Sequence, residues 1–194
     1  MQSTRRKLVL VGDGGCGKTT LVSAFYSGEF RDEFLPTAFE SRVIDLKIDG
    51  TPIELDVFDT AGQEDYEQLR LDSYPDSHVV LICFSMEQPE SLENIHEQWV
   101  PEVLHFCSGV PYLVVGCKTD LRHHPRTLKW MKDLGQRPVT SDEGKAVARR
   151  VNAQMYVECS SMMLDGVTAV FEHAARAALS TGQRPKKKGG CLVV

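Results

Sequence analysis

The sequence predicts an α/β layered fold, a six-stranded, mostly parallel sheet with one antiparallel edge strand and flanking helices. Three observations carry that expectation. Short, nearly continuous apolar runs at 7–11, 79–84 and 112–116 alternate with segments of helical length, as strands buried on both faces of a parallel sheet require. Two alternating runs, Arg42 to Ile48 and Ile53 to Phe58, flank Asp49-Gly50 and read as a hairpin, which supplies the antiparallel member. A glycine-rich loop separates the first strand from the first helix.

In chain order, the strand from Lys7 to Val11 leads through that loop into a helix from Lys18 to Tyr26, and the hairpin follows. The strand Val79 to Phe84 precedes a helix predicted from Ser91 to His105, and the strand Tyr112 to Gly116 follows it. A helix from Ser141 to Val151 has a capped start in Ser141 with Glu143 and Gly144. A sixth strand, Met155 to Cys159, precedes a last helix from Gly166 to Leu179. The polar segment 123–137 interrupts the passage from strand to crossover helix and reads as an insertion. Within it Leu128, Met131 and Leu134 predict a short helix over 127–134 with one apolar stripe. Adjacent His123 and His124 do not share a helix or strand face, so they read as solvated rather than as metal ligands.

The 194 residues, 42% hydrophobic and 25% charged, suit one globular domain and exclude collagen, disorder and disulfide scaffolds. No apolar run approaches the roughly 20 residues of a spanning helix, and the N-terminus has no signal-peptide core, so a cytosolic chain is expected. Cysteines 16, 83, 107, 117, 159 and 191 show no metal-ligand spacing and read as reduced. The formal charge of −5 is uneven: residues 1–183 hold 18 basic against 27 acidic side chains, and Arg184 with Lys186 to Lys188 makes the remainder +4. An acidic body with a basic tail results.

Gly12-Asp13-Gly14-Gly15-Cys16-Gly17-Lys18-Thr19 matches the phosphate-loop pattern, after a strand and at a helix start. There backbone N–H groups and the helix N-terminus converge on phosphate oxygens, Lys18 reaches the β- and γ-phosphates, and Thr19 offers its hydroxyl to Mg²⁺. Thr20 follows as a further nucleotide-site residue. Asp59-Thr60-Ala61-Gly62-Gln63 falls at a strand's carboxyl end, where Asp59 can hold Mg²⁺ through water, Gly62 can give its N–H to a γ-phosphate and Gln63 can orient an attacking water. Thr37, after Pro36, can bind Mg²⁺ by its hydroxyl and the γ-phosphate by its N–H, and Phe30 can cover the base. In Cys117-Lys118-Thr119-Asp120, the Asp120 carboxylate can accept the guanine N1–H and amine, whereas adenine would leave it facing a lone pair. Lys118 can lie along the base, and Ser160, Ser161 and Met162 after the last strand complete the expected nucleotide site, with a backbone N–H for the guanine oxygen.

These residues, with Phe39-Glu40, Asp59 to Tyr66, Ser73 to Asp76, Ser91 to Ile95, Trp99, Pro101 to Val103 and Glu158-Cys159-Ser160, resemble the Rho family of Ras-superfamily small GTPases over almost the whole chain. The insertion at 123–137 is similar to the one that separates Rho proteins from other Ras relatives. The resemblance implies a Rossmann-like P-loop NTPase fold over residues 1–180 and a slow, activator-stimulated GTPase using GTP, GDP and Mg²⁺. Its switch segments would lie near 30–40 and 62–74, with Gln63, Lys18 and Thr37 catalytic. Cys117 stands where Asn or Thr is usual, Phe34 over the phosphates where Tyr is common, and Ser41-Arg42 where Asn-Tyr is usual. No arginine in the chain is placed to complete hydrolysis, so an activating protein is expected to bring one.

The chain ends Cys191-Leu192-Val193-Val194, a C-a-a-X pattern beside the basic cluster, so residues 181–194 read as a flexible tail prenylated at Cys191. One lipid with a polybasic signal anchors where either alone is marginal, and the choice of farnesyl or geranylgeranyl stays open. The expected partners are exchange factors, GTPase-activating proteins, a dissociation inhibitor, effectors and an anionic membrane, with no nucleic acid. A monomer at the cytoplasmic face of membranes, chiefly the plasma membrane, with a cytosolic pool, is expected. Two other readings are a nucleotide-locked binding module and an ATP-dependent kinase, the first opposed by Gln63 and the second by Asp120.

Overall fold

A computed structural model describes residues 4–30 and 39–181. Phe34, Thr37 and the tail with Cys191 lie outside the described residues. The strands are β1 (Thr4–Gly12), β2 (Phe39–Ile48), β3 (Thr51–Thr60), β4 (Val79–Ser85), β5 (Tyr112–Cys117) and β6 (Met155–Glu158). They form one sheet in the order β2-β3-β1-β4-β5-β6, parallel throughout except for the antiparallel β2–β3 pair. The hairpin is therefore present with β2 at the edge, and Asp49 and Gly50 turn it with positive φ.

The helices are α1 (Lys18–Ser27), α2 (Glu67–Ser73), α3 (Pro89–Asn94), α4 (Val100–Phe106), α5 (Pro125–Asp133), α6 (Ser141–Arg150) and α7 (Val167–Thr181). Strand pleating divides the core. Leu8 and Leu10 of β1 join Leu21, Val170 and Phe171 under α1 and α7, whereas Val9 and Val11 join Ile95, Trp99 and Val103 on the other face. All of β4 and β5 is buried, which is why both read as unbroken apolar runs.

Three expectations need correction, and one helix has no counterpart among them. The segment predicted as one helix from Ser91 to His105 is α3 and α4 joined by a π-helical turn, Ile95–Trp99. The cap of α6 is Thr140 and not Ser141: the Thr140 hydroxyl accepts from Glu143 N and the Glu143 carboxylate accepts from Thr140 N, a reciprocal pair that Ser141 and Gly144 could not make. In the inserted segment α5 buries Thr127 and Met131, one turn apart, and leaves Leu128 and Leu134 exposed, so the expected apolar stripe shrinks to one methionine. Finally, α2 was not anticipated, because it buries Arg70 and Ser73 rather than apolar side chains.

Candidate functional site

The loops after β1, β3, β5 and β6 meet at the carboxyl edge of the sheet, beside β1, where successive strands are added on opposite sides. In open α/β sheets that crevice is where ligands bind. Here it is a cleft of about 600 Å³.

At one end lies the phosphate loop. Gly17 adopts the left-handed conformation as the N-cap of α1, and Lys18, 5% exposed, donates from Nζ to the carbonyls of Gly12 at 2.6 Å and Asp13 at 2.8 Å. The Asp13 carboxylate turns away from the cleft and accepts from Asn94 Nδ2 at 2.7 Å and Trp99 Nε1 at 2.6 Å. In an α-helix, side chains five apart diverge by about 140°. The π-turn lowers the rotation per residue and brings Asn94 and Trp99 onto one carboxylate.

The same indole is covered by the Arg70 guanidinium, 5.0 Å from the ring centroid. Arg70, 2% exposed, donates to both Glu102 oxygens at 2.8 and 3.1 Å and to the Ala61 carbonyl at 3.2 Å. The Tyr74 hydroxyl adds a third donor to Glu102, and burial with that carboxylate pushes its pKa up, so it stays protonated. Phosphate loop, α2 and α4 are thus wired together by charged and polar groups.

Asp59 is 2% exposed, and neither of its carboxylate oxygens closes a hydrogen bond of good geometry. Burial pushes its pKa up to about 6, against the pull of the neighbouring Thr19 hydroxyl and Lys18 ammonium. A buried carboxylate left short of donors beside a hydroxyl is a donor set that fits a hard divalent cation. Past it the chain presses on the phosphate loop so closely that a Cβ on Gly62 would lie 2.2 Å from the Gly12 carbonyl oxygen. Gln63 is exposed above Gly14, where an added Cβ would meet Gln63 Cγ at 3.4 Å.

At the other end, Asp120 Oδ1 accepts from the Ser160 hydroxyl at 2.5 Å, and Ser160 Oγ in turn accepts from Met163 N. Arg122 clamps Glu158 through two bonds of 3.0 and 2.7 Å, tying the loop after β5 to the end of β6. Lys118, in the left-handed conformation, passes over Gly17 and pairs with Glu87 at 2.7 Å. Cys117 is buried, with Cys159 Sγ 4.0 Å from its sulfur.

Of the residues anticipated from sequence, Gly14, Gly15, Gly17, Lys18, Thr19, Thr20, Phe30, Asp59, Gly62, Gln63, Lys118, Asp120, Ser161 and Met162 line the cleft. Gly12, Asp13, Cys16 and Ser160 stand behind it. Glu40, Arg42 and Leu121 also line it, unanticipated. Arg42 nevertheless pairs with Glu40 at 3.1 Å and lies 5.2 Å from the Tyr26 ring, on the side of α1.

The Ras family model matches residues 7–180. Over 195 residues, covering 98% of each chain, the sequence is 52% identical to "GTP-binding protein rho5" of Schizosaccharomyces pombe. It is 56% identical over 177 residues to "GTP-binding protein RHO1" of Saccharomyces cerevisiae, covering 91% of this chain and 85% of that one. It belongs to the Ras family, as a Rho-type small GTPase.

This Rho-type GTPase is a GTP- and GDP-binding switch that hydrolyses GTP. Against that activity, the residues that sequence reasoning underused are Asn94, Trp99, Arg70 and Glu102. Asn94, Trp99 and Glu102 stand out only as family usage, and the signal that could have found Arg70 is a basic residue inside an otherwise acidic, weakly apolar stretch, 64–72.

Proposed function

We propose that the nucleotide occupies the cleft with its phosphates on the loop 12–19 and its guanine between Lys118, Asp120 and Ser160 to Met162. The observation that carries this reading is Asp59, a buried carboxylate without full partners at the phosphate end. Thr19 and Asp59, the latter through water, would hold Mg²⁺, together with Thr37. That ion supplies charge neutralisation at the β- and γ-phosphates.

Lys18 Nζ rests on the Gly12 and Asp13 carbonyls with Cys16 Sγ 3.9 Å away, and a phosphate oxygen on the loop would draw one of its three donors. Gly62 N–H meets the γ-phosphate and Gln63 orients the water that attacks it in line. Water's proton passes to the phosphate as the bond to the β-phosphate oxygen breaks. No arginine of the described chain is free at that point, since Arg42 and Arg70 are both engaged, so an activating protein supplies one.

The domain division follows: residues 1–180 form the GTPase unit, with an insert at about 123–137, and 181–194 form a basic tail prenylated at Cys191. No helix among the described residues is long and apolar enough to cross a membrane, and lipid with Lys186 to Lys188 attaches the chain to an anionic membrane surface. Exchange factors, a dissociation inhibitor and effectors read the segments 30–40 and 62–74, and the output is organisation of actin, polarity or cell shape. Replacing Gln63 tests the chemistry: Gln63→Leu keeps GTP binding and loses about 10³-fold or more of activator-stimulated hydrolysis in a phosphate-release assay. Hydrolysis at the parental rate would remove Gln63 from the mechanism.

A further inference from the structure

Four cysteines, 16, 83, 117 and 159, are buried in one apolar cluster beneath the cleft, although they come from the phosphate loop, β4, β5 and the segment after β6. Two of them are lateral neighbours. Cys117 ends β5 and Cys159 follows β6, each one step beyond the paired residues Gly116 and Glu158. Adjacent strands run about 4.8 Å apart, inside the Cα separation of about 4.4–6.8 Å that a disulfide spans. The Cys159 thiol already donates to the Cys117 sulfur at 4.0 Å. Cys83 also neighbours Cys117, but it lies mid-strand, and the residue of β4 paired with Cys117 is Ser85, so bridging it would bend two continuous strands. At Cys117 and Cys159 both chains are leaving the sheet and can yield.

We propose that Cys117 and Cys159 are a nucleotide-gated oxidation site, which a peroxide converts to a disulfide when the cleft holds no nucleotide. The gating rests on the nucleotide reading of the cleft given above. Cys117 borders the cleft with only 2% of its surface exposed, so the approach to its sulfur runs through an emptied cleft, and a bound nucleotide covers that approach. The hydrogen bond from Cys159 draws the Cys117 thiol down against the opposing effect of burial, while donating that bond and burial push the Cys159 thiol up. Cys117, which borders the cleft as Cys159 does not, is therefore the sulfur that attacks as thiolate.

The thiolate takes one peroxide oxygen, the O–O bond breaks, and the departing hydroxide is protonated to water, leaving a sulfenic acid on Cys117. Cys159, losing its proton, attacks that sulfur and expels the second hydroxide as water. Two thiols and one peroxide give one disulfide and two waters. Closing the sulfurs from 4.0 Å to about 2 Å pulls on both base-facing loops, because Cys117 precedes Lys118 and Asp120, and Cys159 precedes Ser160, which bonds Asp120. The bridged protein therefore holds guanine nucleotide less tightly.

The test compares the full chain stripped of nucleotide by EDTA with the same chain loaded with GDP and Mg²⁺. Each is exposed to hydrogen peroxide, alkylated, digested and read by mass spectrometry. A dithiothreitol-reversible peptide linking Cys117 to Cys159 is expected, forming about tenfold faster in the stripped protein. It is expected to be absent in Cys159→Ser and in Cys117→Asn. Bridged protein is expected to release fluorescent GDP about tenfold faster than reduced protein. A bridge between other cysteines, equal rates with and without GDP, or unchanged GDP release would overturn the proposal. Failure of reduced, stripped protein to rebind GDP would instead overturn the nucleotide reading, since the linked peptide is scored without reference to binding.

Discussion

The two ends of the cleft are built from different interactions. At the phosphate end Lys18, Asp13, Trp99, Arg70 and Glu102 form a chain of charged or charge-assisted contacts, nearly all buried, running from the loop into two helices. At the guanine end the ion pairs Lys118–Glu87 and Arg122–Glu158 are partly open to solvent, Asp120 has one hydroxyl donor, Cys117 has a thiol contact at 4.0 Å, and Met162 is 58% exposed. Ion pairs open to solvent are screened and contribute less than buried ones, and a thiol is a weak donor and acceptor. The phosphate end is thus braced before any nucleotide arrives, whereas the guanine end depends more on the base itself for its order. Anchoring and discrimination are separated along one ligand.

Breaking the brace should produce the largest effect. Arg70→Met removes a guanidinium that is 2% exposed and strands Glu102, whose side chain is 12% exposed, against the Tyr74 hydroxyl. The expected loss is about 3–5 kcal/mol of stability, because an unpaired buried charge costs more than the ion pair contributes. Urea unfolding of the GDP-bound protein measures it. A loss below about 1 kcal/mol would mean that the network is incidental to the phosphate end.

A smaller effect, of opposite sign, is expected at the guanine end. Cys117→Asn replaces a weak thiol by an amide with two donors and an acceptor next to Lys118 and Ser160, and should slow GDP release about tenfold, equivalent to about 1.4 kcal/mol. Exchange of fluorescent GDP reads this directly. Faster release would show that the amide cannot be satisfied among Cys16, Cys83 and Cys159, and that the guanine end is already as well held as its surroundings allow.

The same contrast explains what was legible in the sequence. Strands β4 and β5 could be read because both faces are apolar and the hydrophobic run is continuous. The phosphate loop and Asp59 could be read because glycines and a carboxylate at strand ends have few other uses. Helix α2 could not, since its buried side is Arg70 and Ser73, and an apolar period of 3.6 never appears. The convergence of Asn94 and Trp99 on Asp13 depends on a π-turn, a spacing that α-helical periodicity does not reveal. The neighbouring thiols of Cys117 and Cys159 are 42 residues apart and become visible only once the register of β5 and β6 is known. Thr140 and Ser141 are both good caps, and Glu143, three residues after Thr140, decides between them.

That cap yields the smallest of the expected effects, and the one that depends on pH. Glu143 accepts from Thr140 and from Arg137, which holds its pKa down to about 2 from an ordinary 4.5, the Arg137 bonds contributing first and the Thr140 N–H next. A carboxylate with a depressed folded pKa stabilises the fold fully above its unfolded value and loses that contribution as pH falls toward the folded one. The window is therefore about pH 4.5 down to about 2. Both side chains are largely exposed, at 66% and 42%, so solvent screening leaves about 1 kcal/mol of the nominal effect. Glu143→Gln should lower the melting temperature at pH 7 and converge with the parent near pH 2, while GDP release at pH 7 stays at the parental rate. A change in GDP release would mean that α6, which packs on β5 and β6, helps hold the loops around the base. The guanine end would then be braced from outside the cleft, as the phosphate end is braced from within the core.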